Sequence, residues 1–302
     1  MVFDKVFILG AGAVGSVLGA VLSKSYNVTL VGSKAHVETI VSKGLQISGD
    51  IKDTFHVKAD TQIHNIPEKS LVILTTKVHD STTAIEGIRN LLKEDTVILI
   101  LQNGLGNEEI VRQAAGGEVK VLRGVVKVAA ESLAPGEVKF WAGKIIIESG
   151  ESAKEVVDMF SKCGIDARLS KNIGIDVWNK LVVNCVVNPL TAILRVTDGD
   201  IIADSLETVR SGIVSECIAV AKAEGLVLSS DLAERIDRSV AGYANYSSMY
   251  QDIVKGKKSE IDFLNGKIVE LGKKHNISTP VNATLASLIR YLEGKNAVTG
   301  SH

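Results

Sequence analysis

The chain has 302 residues, of which 45% are hydrophobic and 4% aromatic, and its formal net charge at pH 7 is −1. That length exceeds what one hydrophobic core usually organises, so two domains are expected. Acidic and basic residues are evenly balanced, which leaves no basic field to hold a phosphate backbone. General nucleic-acid binding is therefore not expected.

The first half of the chain alternates short apolar runs with segments of helical spacing, such as Val14–Ser25. Short, continuously apolar runs are typical of parallel strands that are buried on both faces. The alternation predicts the βαβ units of a Rossmann-type, doubly wound sheet. The strands predicted there are Lys5–Leu9, Asn27–Val31, Leu71–Thr75 and Thr96–Leu101.

The pattern changes after Gly104, where we predict further strands and a hairpin turn at Ala134-Pro135-Gly136. These strands are Val119–Ala129, Glu137–Trp141 and Lys144–Ile147. From about Asn172 only helical spacing remains. The predicted helices are Ile175–Leu194, Ala203–Glu224, Asp231–Ala244, Ser248–Lys255, Ile261–Lys274 and Pro280–Leu292.

The predicted fold class is therefore α/β, with two domains. Residues 1–168 form an N-terminal Rossmann-type domain built on a doubly wound sheet, and residues 169–302 form a C-terminal all-helical domain.

The loop Gly10-Ala11-Gly12-Ala13-Val14-Gly15 lies between the first predicted strand and the first predicted helix. In a dinucleotide site the first glycine permits the tight turn and the second lets the backbone approach the pyrophosphate. The third lets helix and strand pack closely. The helix N-terminus then offers free N–H groups to the phosphates. A lone motif of this kind is weak, but its place at the start of a βαβ unit predicts binding of a nicotinamide dinucleotide.

The second predicted strand is followed by Gly32, Ser33 and Lys34. An NAD-preferring site usually has an Asp or Glu here to bind the ribose 2′-hydroxyl, and this chain has none before Glu38. Ser33 can donate a hydrogen bond to a 2′-phosphate and Lys34 can neutralise it, which favours NADPH. The alternative is that Lys34 is an ordinary solvated lysine.

Lys180, Asn184 and Asn188 are spaced by four residues along an otherwise apolar helix, so they lie on one face. Buried amide and ammonium groups cost free energy unless they have partners, so the row indicates a polar cleft. A helix cross-bonded through its asparagines is the structural alternative. In a reductase the ammonium could stabilise and protonate the alkoxide that hydride delivery to a ketone leaves.

Cysteine spacing, hydropathy and histidine spacing bear on location, membrane association and metal binding. The three cysteines have no Cys-x-x-Cys pair, so we expect a reducing, cytoplasmic location, with Cys185 as a buried thiol. The chain has no unbroken apolar stretch of about 18 residues, so no transmembrane helix is predicted. The histidines do not have the spacing of metal ligands, so no metal site is predicted. No membrane partner is expected, and a homodimer through the helical domain is left open.

The chain resembles the ketopantoate reductase (2-dehydropantoate 2-reductase) family. The glycine loop and other short motifs carry the resemblance along nearly the whole chain. The motifs are Thr75-Thr76-Lys77, Gln102–Gly106, Pro135–Val138, Trp178–Leu181, Asn188–Ala192, Ser247–Asp252, Glu260–Asp262 and Asn265-Gly266. The resemblance implies NADPH-dependent reduction of 2-dehydropantoate to pantoate, a step of pantothenate and coenzyme A biosynthesis.

The resemblance also implies roles for individual residues. Lys180 matches the family's proton donor to the keto oxygen, and Glu260 matches a glutamate near that lysine and the nicotinamide. Asn184, Asn188 and Ser248 match residues that hold the substrate's carboxylate and hydroxyl groups. The implied cofactor contacts are Lys77, Asn103 and the backbone at Ala130, with Asn103 also touching the substrate.

Two regions depart from the family's pattern. Members often carry an arginine after the second strand, where this chain has Ser33 and Lys34, and a substrate-side asparagine of some members aligns with Asp198. A carboxylate at Asp198 cannot donate a hydrogen bond and would repel a nearby substrate carboxylate.

Three of the implied site residues also have structural interpretations. Ser248 with Gln251 forms a Ser-x-x-Gln capping box, Glu260 would suit the first turn of a helix, and Lys77 could be solvated. The alternative functions are reduction of another branched 2-keto acid, and NADP(H) sensing without turnover.

Overall fold

The computed structural model of the protein describes residues 3–117 and 119–299. Its contacts divide the chain into two compact units. Unit 1 comprises Met1–Gln102 and Gly106–Ile173, and unit 2 comprises Asn103–Leu105 and Gly174–His302. The domain boundary near residue 168 stays a prediction, since compactness alone does not show which part folds by itself.

Unit 1 is built on a mixed sheet whose central part is parallel. The strands in chain order are β1 (Lys5–Leu9), β2 (Val28–Val31), β3 (Leu45–Gly49), β4 (Asp53–Phe55), β5 (Lys58–Asp60), β6 (Ser70–Leu74), β7 (Val97–Ile100), β8 (Lys120–Ala134), β9 (Glu137–Ile147) and β10 (Asp166–Leu169). Their spatial order is β4-β3-β9-β8-β7-β6-β1-β2-β5, with β10 beside β9.

The strands β5, β2, β1, β6, β7 and β8 are parallel neighbours. From β1 the chain continues to β2 on one side and later to β6 on the other. This reversal is the topological switch point, where open α/β sheets bind ligands at the carboxyl ends of their strands.

Continuous apolar sequence makes these central strands. Val6 and Ile8 of β1 pack into one hydrophobic core, and Phe7 and Leu9 pack into a second. Successive side chains of a strand point to opposite faces, so the two cores cover the two faces of the sheet. The predicted doubly wound α/β fold is confirmed.

The other side of the sheet is antiparallel where β8 pairs with β9. The turn between them is the predicted one, with Gly136 at φ +76°, a conformation that favours glycine. The two strands predicted over Glu137–Trp141 and Lys144–Ile147 are one continuous strand, β9. The short strands β3, β4, β5 and β10 were not predicted, because exposed polar residues interrupt their apolar pattern.

Helices of unit 1 connect these strands. They are α1 (Ala13–Ser23), α2 (Lys34–Lys43), α3 (Ser81–Glu86), α4 (Asn107–Ala115) and α5 (Ala153–Lys162). Helix α1 follows β1 directly and is buried along most of its length, from Gly15 to Leu22. The glycine loop is therefore held between two buried elements.

Between Gly174 and Thr299 the described residues of unit 2 form helices and 3₁₀ turns joined by loops, with no strand. Its helices are α6 (Ile173–Leu194), α7 (Glu207–Ala223), α8 (Leu232–Val240), α9 (Ser248–Val254), α10 (Asn265–Lys274) and α11 (Pro280–Thr299). They enclose one core that includes Trp178, Leu181 and Cys185 of α6. The prediction of Cys185 as a buried thiol is confirmed, since it is 0% exposed.

Two helix predictions in unit 2 need correction at their starts. The predicted helix Ala203–Glu224 begins as a 3₁₀ turn over Asp204–Leu206, and α7 follows it. The predicted helix Ile261–Lys274 contains a 3₁₀ turn over Ile261–Phe263, and Leu264 separates that turn from α10. At Leu264 the backbone angles are φ −110° and ψ −107°, outside the helical range, so hydrophobic spacing continues where the helix does not.

Helix α6 is long and apolar enough to cross a membrane by length and composition, although no such helix was predicted. Of the most apolar 18-residue stretch of α6, 67% is buried inside the protein. That burial is typical of the core helix of a folded domain, where apolar residues surround the axis.

Candidate active site

The glycine loop lies at the switch point of unit 1. Gly10, at φ +109°, and Ala11 both donate backbone hydrogen bonds to the carbonyl oxygen of Val31, at 3.0 and 2.8 Å. A β-carbon on Gly10 would lie 2.4 Å from the backbone nitrogen of Thr76. The chain is thus confined between the carboxyl ends of β2 and β6, where only glycine fits.

Gly12 and Gly15 differ in what surrounds them. A β-carbon on Gly15 would lie 2.4 Å from Gly10 O and 2.5 Å from Thr75 Oγ1, so this glycine permits close packing of α1 on the sheet. A β-carbon on Gly12 would meet nothing within 4 Å. Gly12 therefore leaves backbone open on the side from which a phosphate could approach.

The start of α1 fits a pyrophosphate. Gly12 caps the helix without any side-chain hydrogen bond, and no acidic residue lies in the first turn. The first N–H groups of a helix have no partner within the helix, and its N-terminus carries a partial positive charge. Open backbone, unpaired N–H groups and positive potential together suit the diphosphate of a dinucleotide.

A buried relay behind the loop was not predicted. The backbone N–H of Gly136 donates to Nδ1 of His36 at 2.9 Å, so the imidazole proton is on Nε2, 3.0 Å from Ser16 Oγ. Ser16 Oγ donates in turn to the carbonyl oxygen of Ala11 at 3.3 Å. Burial lowers the pKa of His36, which keeps the ring neutral as this relay requires. The loop is thereby tied to the hairpin turn of β8 and β9.

Ser33 and Lys34 lie at the start of α2. Ser33 is the N-cap of α2, but its side chain makes no capping hydrogen bond, and both side chains are exposed. Lys34 Nζ lies 3.8 Å from Glu38 Oε1, an exposed ion pair that contributes little to stability. The hydroxyl and the ammonium can therefore both turn towards a 2′-phosphate.

Lys77 follows β6 and directly precedes a 3₁₀ turn over Val78–Asp80. The buried amide of Gln102 donates to Thr76 O at 2.9 Å and Ser81 Oγ at 2.7 Å, which fixes the turn that carries Lys77. Ala130, the other implied cofactor contact in unit 1, lies in β8 opposite Phe140 of β9.

The predicted polar row of unit 2 lies along α6. Lys180 and Asn184 are half-buried and Asn188 is 7% exposed, while Leu181 and Cys185 between them are buried in the core. Turns of an α-helix rise by about 5.4 Å, so the three side chains line one face at regular spacing. A half-buried ammonium beside two amides can bind and protonate a polar anion.

Asn103 and Glu260 meet in unit 2. Asn103 Nδ2 donates to Glu260 Oε2 at 3.3 Å, although 157 positions separate the two residues in the chain. Leu105 N donates to Phe263 O at 3.3 Å, and a β-carbon on Gly104 would lie 2.7 Å from the same oxygen. Glu260 is buried and directly precedes the 3₁₀ turn over Ile261–Phe263. The structural interpretation, in which Glu260 is an acid in the first turn of a long helix, is therefore wrong.

The capping box predicted for Ser248 is also wrong. The N-cap of α9 is Ser247, whose hydroxyl accepts from Tyr250 N at 3.1 Å and pairs with Thr191 Oγ1 at 2.7 Å. Gln251 Nε2 donates to Tyr246 O. Ser248 is the first residue of α9 and is exposed, so capping does not occupy its hydroxyl.

Asp198 is buried beside Asn245. Asn245 Nδ2 donates to Asp198 Oδ2 at 2.5 Å, and Asp198 N donates to Asn245 O at 2.9 Å. Oδ1 is buried and receives no hydrogen bond from the residues described. Desolvation raises the pKa of the carboxyl to about 6, with the Asn245 hydrogen bond opposing the rise.

Comparison with known proteins identifies the family. Residues 6–153 match the family described as ketopantoate reductase PanE/ApbA, and residues 172–293 match its C-terminal domain. A relative named 2-dehydropantoate 2-reductase, from Pyrococcus horikoshii, is 35% identical over 96% of this chain and 97% of its own length. The chain belongs to the ketopantoate reductase family.

Two solved structures have a similar fold. A PanE/ApbA family ketopantoate reductase from Ralstonia eutropha has a TM-score of 0.89 and 33% identity, over 97% of this chain and 99% of the other. D-mandelate dehydrogenase, solved with NADH and anilino(oxo)acetate, has a TM-score of 0.89 and 29% identity over the same shares. Ketopantoate reductases are oxidoreductases that use NADPH.

Proposed function

We propose that this protein reduces 2-dehydropantoate to pantoate with NADPH, within pantothenate and coenzyme A biosynthesis. The observation that carries the proposal is the row Lys180, Asn184 and Asn188 on a buried helix, in a chain that also has a dinucleotide loop. Near full-length similarity to proteins named for this reaction supports it.

On the cofactor side, the loop Gly10–Gly15 takes the pyrophosphate, and Ser33 and Lys34 take the 2′-phosphate. Residues 1–168 form this cofactor-binding domain. Lys77, Asn103 and the backbone of Ala130 contact the rest of the dinucleotide, in the turns that Gln102 and the β8–β9 ladder hold. When bound, the reduced nicotinamide supplies the hydride.

On the substrate side, residues 169–302 hold the keto acid and supply the proton. The ammonium of Lys180 donates its proton to the carbonyl oxygen while negative charge develops there. Asn184, Asn188 and Ser248 donate hydrogen bonds to the carboxylate and bind the hydroxyl group of the substrate. Glu260 acts at the catalytic centre and accepts a hydrogen bond from the amide nitrogen of Asn103, which orients that amide.

Reduction of another 2-keto acid is the second candidate. The similarity to D-mandelate dehydrogenase, which was solved with a different oxo acid derivative and with NADH, favours it. Pocket shape, not the shared polar residues, selects among such substrates. NADP(H) sensing without turnover is the third candidate, and it would not require Lys180 on a polar row.

The proposal includes a setting for the enzyme. Its partner is a small-molecule 2-keto acid, it binds neither nucleic acid nor membrane, and it works in the cytoplasm, with a homodimer through the helical domain left open.

The test is oxidation of NADPH, followed by absorbance, with 2-dehydropantoate and with a panel of other branched and aromatic 2-keto acids. We expect the highest kcat/KM with 2-dehydropantoate. A higher kcat/KM with another keto acid would replace the substrate in the proposal. Tight NADPH binding without NADPH oxidation by any of these acids would support NADP(H) sensing instead of catalysis.

A further inference from the structure

Helix α6 contains a proline directly after Asn188. Pro189 has no N–H, so it cannot make the hydrogen bond that residue 189 would donate to the carbonyl oxygen of Cys185, four residues earlier. Cys185 is 0% exposed, so its carbonyl cannot turn to bulk water. A buried carbonyl without a donor is costly, so a replacement donor is required here.

Asn265, the first residue of α10, supplies that donor. Its Nδ2 donates to Cys185 O at 3.0 Å, and Asn265 is 0% exposed. The contact falls on the helix between Asn184 and Asn188, at the turn where the backbone ladder is interrupted. Asn265 thus substitutes for the missing N–H of Pro189.

The orientation of the Asn265 amide is fixed by a buried chain of acceptors. Nδ2 of Asn265 also donates to Asn282 Oδ1 at 2.9 Å, and Asn282 Nδ2 donates to Glu216 Oε2 at 2.7 Å. Glu216 in turn accepts the backbone N–H groups of Val281 and Asn282 at the start of α11, at 2.8 and 3.0 Å. A carbonyl and a carboxylate can only accept, so neither amide can be reversed.

We infer that Asn265 is a positioning residue, which holds the proline-interrupted turn of α6 so that Lys180, Asn184 and Asn188 share one face. Asn265 also begins the helix that follows the Glu260 turn, so one side chain links the lysine helix to the segment carrying Glu260. A displacement of about 1 Å in reacting groups can cost about 100-fold in rate, which gives such a residue leverage on turnover. The effect on turnover rests on the proposed function.

The test is a double-mutant cycle between Asn265→Ala and Pro189→Ala. Alanine at 189 restores a backbone N–H within reach of Cys185 O, so it replaces the donor that Asn265 supplies. We expect Asn265→Ala to lower kcat roughly 10- to 100-fold while the Kd for NADPH, whose phosphates unit 1 is proposed to bind, stays unchanged. In the Pro189→Ala background the same change should lower kcat less than about threefold.

A second measurement separates positioning from activity. Hydrogen exchange of the α6 segment 181–190, followed by mass spectrometry, should quicken in Asn265→Ala and return towards wild type in the double variant. Hydrogen exchange measures the stability of α6 even if the wild-type protein does not reduce 2-dehydropantoate. Failure of the proposed function can therefore be distinguished from failure of this inference.

Three results would overturn the inference. One is Asn265→Ala with wild-type kcat and wild-type exchange in α6. Another is an equal loss from Asn265→Ala in both backgrounds. The third applies if Asn265→Ala does not fold: Pro189→Ala should then restore folding, and failure of the double variant to fold would contradict the replacement of one donor by the other.

Discussion

Asn103 Nδ2 donates a hydrogen bond to Oε2 of Glu260 over 3.3 Å, and this pair joins the segment after β7 to the turn before α10. The donor orients both groups, since a carboxylate can only accept and the amide must present nitrogen to it. Asn103 is therefore held with its oxygen turned away from Glu260, and the carboxyl of Glu260 is held in place beside it.

Exchange of these two groups tests that relationship. Asn103→Asp places two carboxylates against each other, so we expect kcat/KM to fall by about 10-fold or more. Adding Glu260→Gln places the amide at position 260 and the carboxylate at position 103, so a donor again faces an acceptor. Part of the loss should then be recovered, with a coupling energy of about 0.5–3 kcal/mol. Strictly additive losses in kcat/KM would show that the pair is not coupled.

Gly12 and Gly15 should separate cofactor binding from folding. Gly12→Ala meets no atom within 4 Å and its φ of −77° suits alanine, so the Tm should stay the same or rise slightly. Its methyl group would occupy the open approach to the loop and weaken NADPH binding by about 10-fold or more. The β-carbon of alanine at position 15 would lie 2.4 Å from Gly10 O, so Gly15→Ala should destabilise the fold by about 1–3 kcal/mol.

Thermal unfolding and fluorescence titration with NADPH measure the two effects. Unchanged NADPH affinity in Gly12→Ala would show that the pyrophosphate does not approach this backbone.

Lys34 should distinguish NADPH from NADH. Lys34→Ala removes the ammonium proposed for the 2′-phosphate, so we expect the KM for NADPH to rise about 5- to 50-fold while the KM for NADH stays the same. Lys43→Ala is the matched control, because Lys43 is exposed at the other end of α2. Equal effects of Lys34→Ala on both cofactors would reject this assignment.

Asp198 should make the protein less stable as the pH rises. Its pKa is raised to about 6 in the folded protein from 3.8, so the folded state binds a proton more tightly than the unfolded state. The contribution of Asp198 to the free energy of unfolding is therefore highest below about pH 4, falls as the pH rises to about 6, and then levels off. A shift of this size costs the folded state on the order of 1–3 kcal/mol at pH 7.

Asp198→Asn removes the titrating carboxyl and keeps an acceptor for Asn245. We expect it to raise the free energy of unfolding at pH 7 and to change it little near pH 4, measured by urea unfolding. Asp200→Asn is the control, because hydrogen bonds from the Thr197 side chain and backbone lower the pKa of exposed Asp200. Its effect should have the opposite sign. A pH-independent difference between Asp198→Asn and wild type would contradict the burial argument.

The strands could be predicted where local pattern and final environment agree. The apolar runs of β1, β6 and β7 are buried on both faces, so their sequence alone predicts their structure. The two strands β4 and β5 are each three residues long, with exposed polar positions, and only neighbouring strands stabilise them. Such strands follow from tertiary pairing, which a local pattern does not contain.

The candidate site shows the same limit. The spacing of Lys180, Asn184 and Asn188 on one helix is a local property, and it was predicted correctly as a polar row on α6. The cap at Ser247 instead of Ser248 differs by one residue, which is within the usual uncertainty of helix ends. Contacts such as His36 with Gly136 join residues 100 positions apart, so only the fold could show them.

Removal of the Lys180 ammonium tests the central claim most directly. Lys180→Ala should lower kcat for 2-dehydropantoate about 100- to 10,000-fold, the usual contribution of a general acid, with the Kd for NADPH unchanged. Lys222→Ala, at an exposed lysine of α7, should keep wild-type kcat. A folded Lys180→Ala variant that turns over 2-dehydropantoate at the wild-type rate would contradict the account.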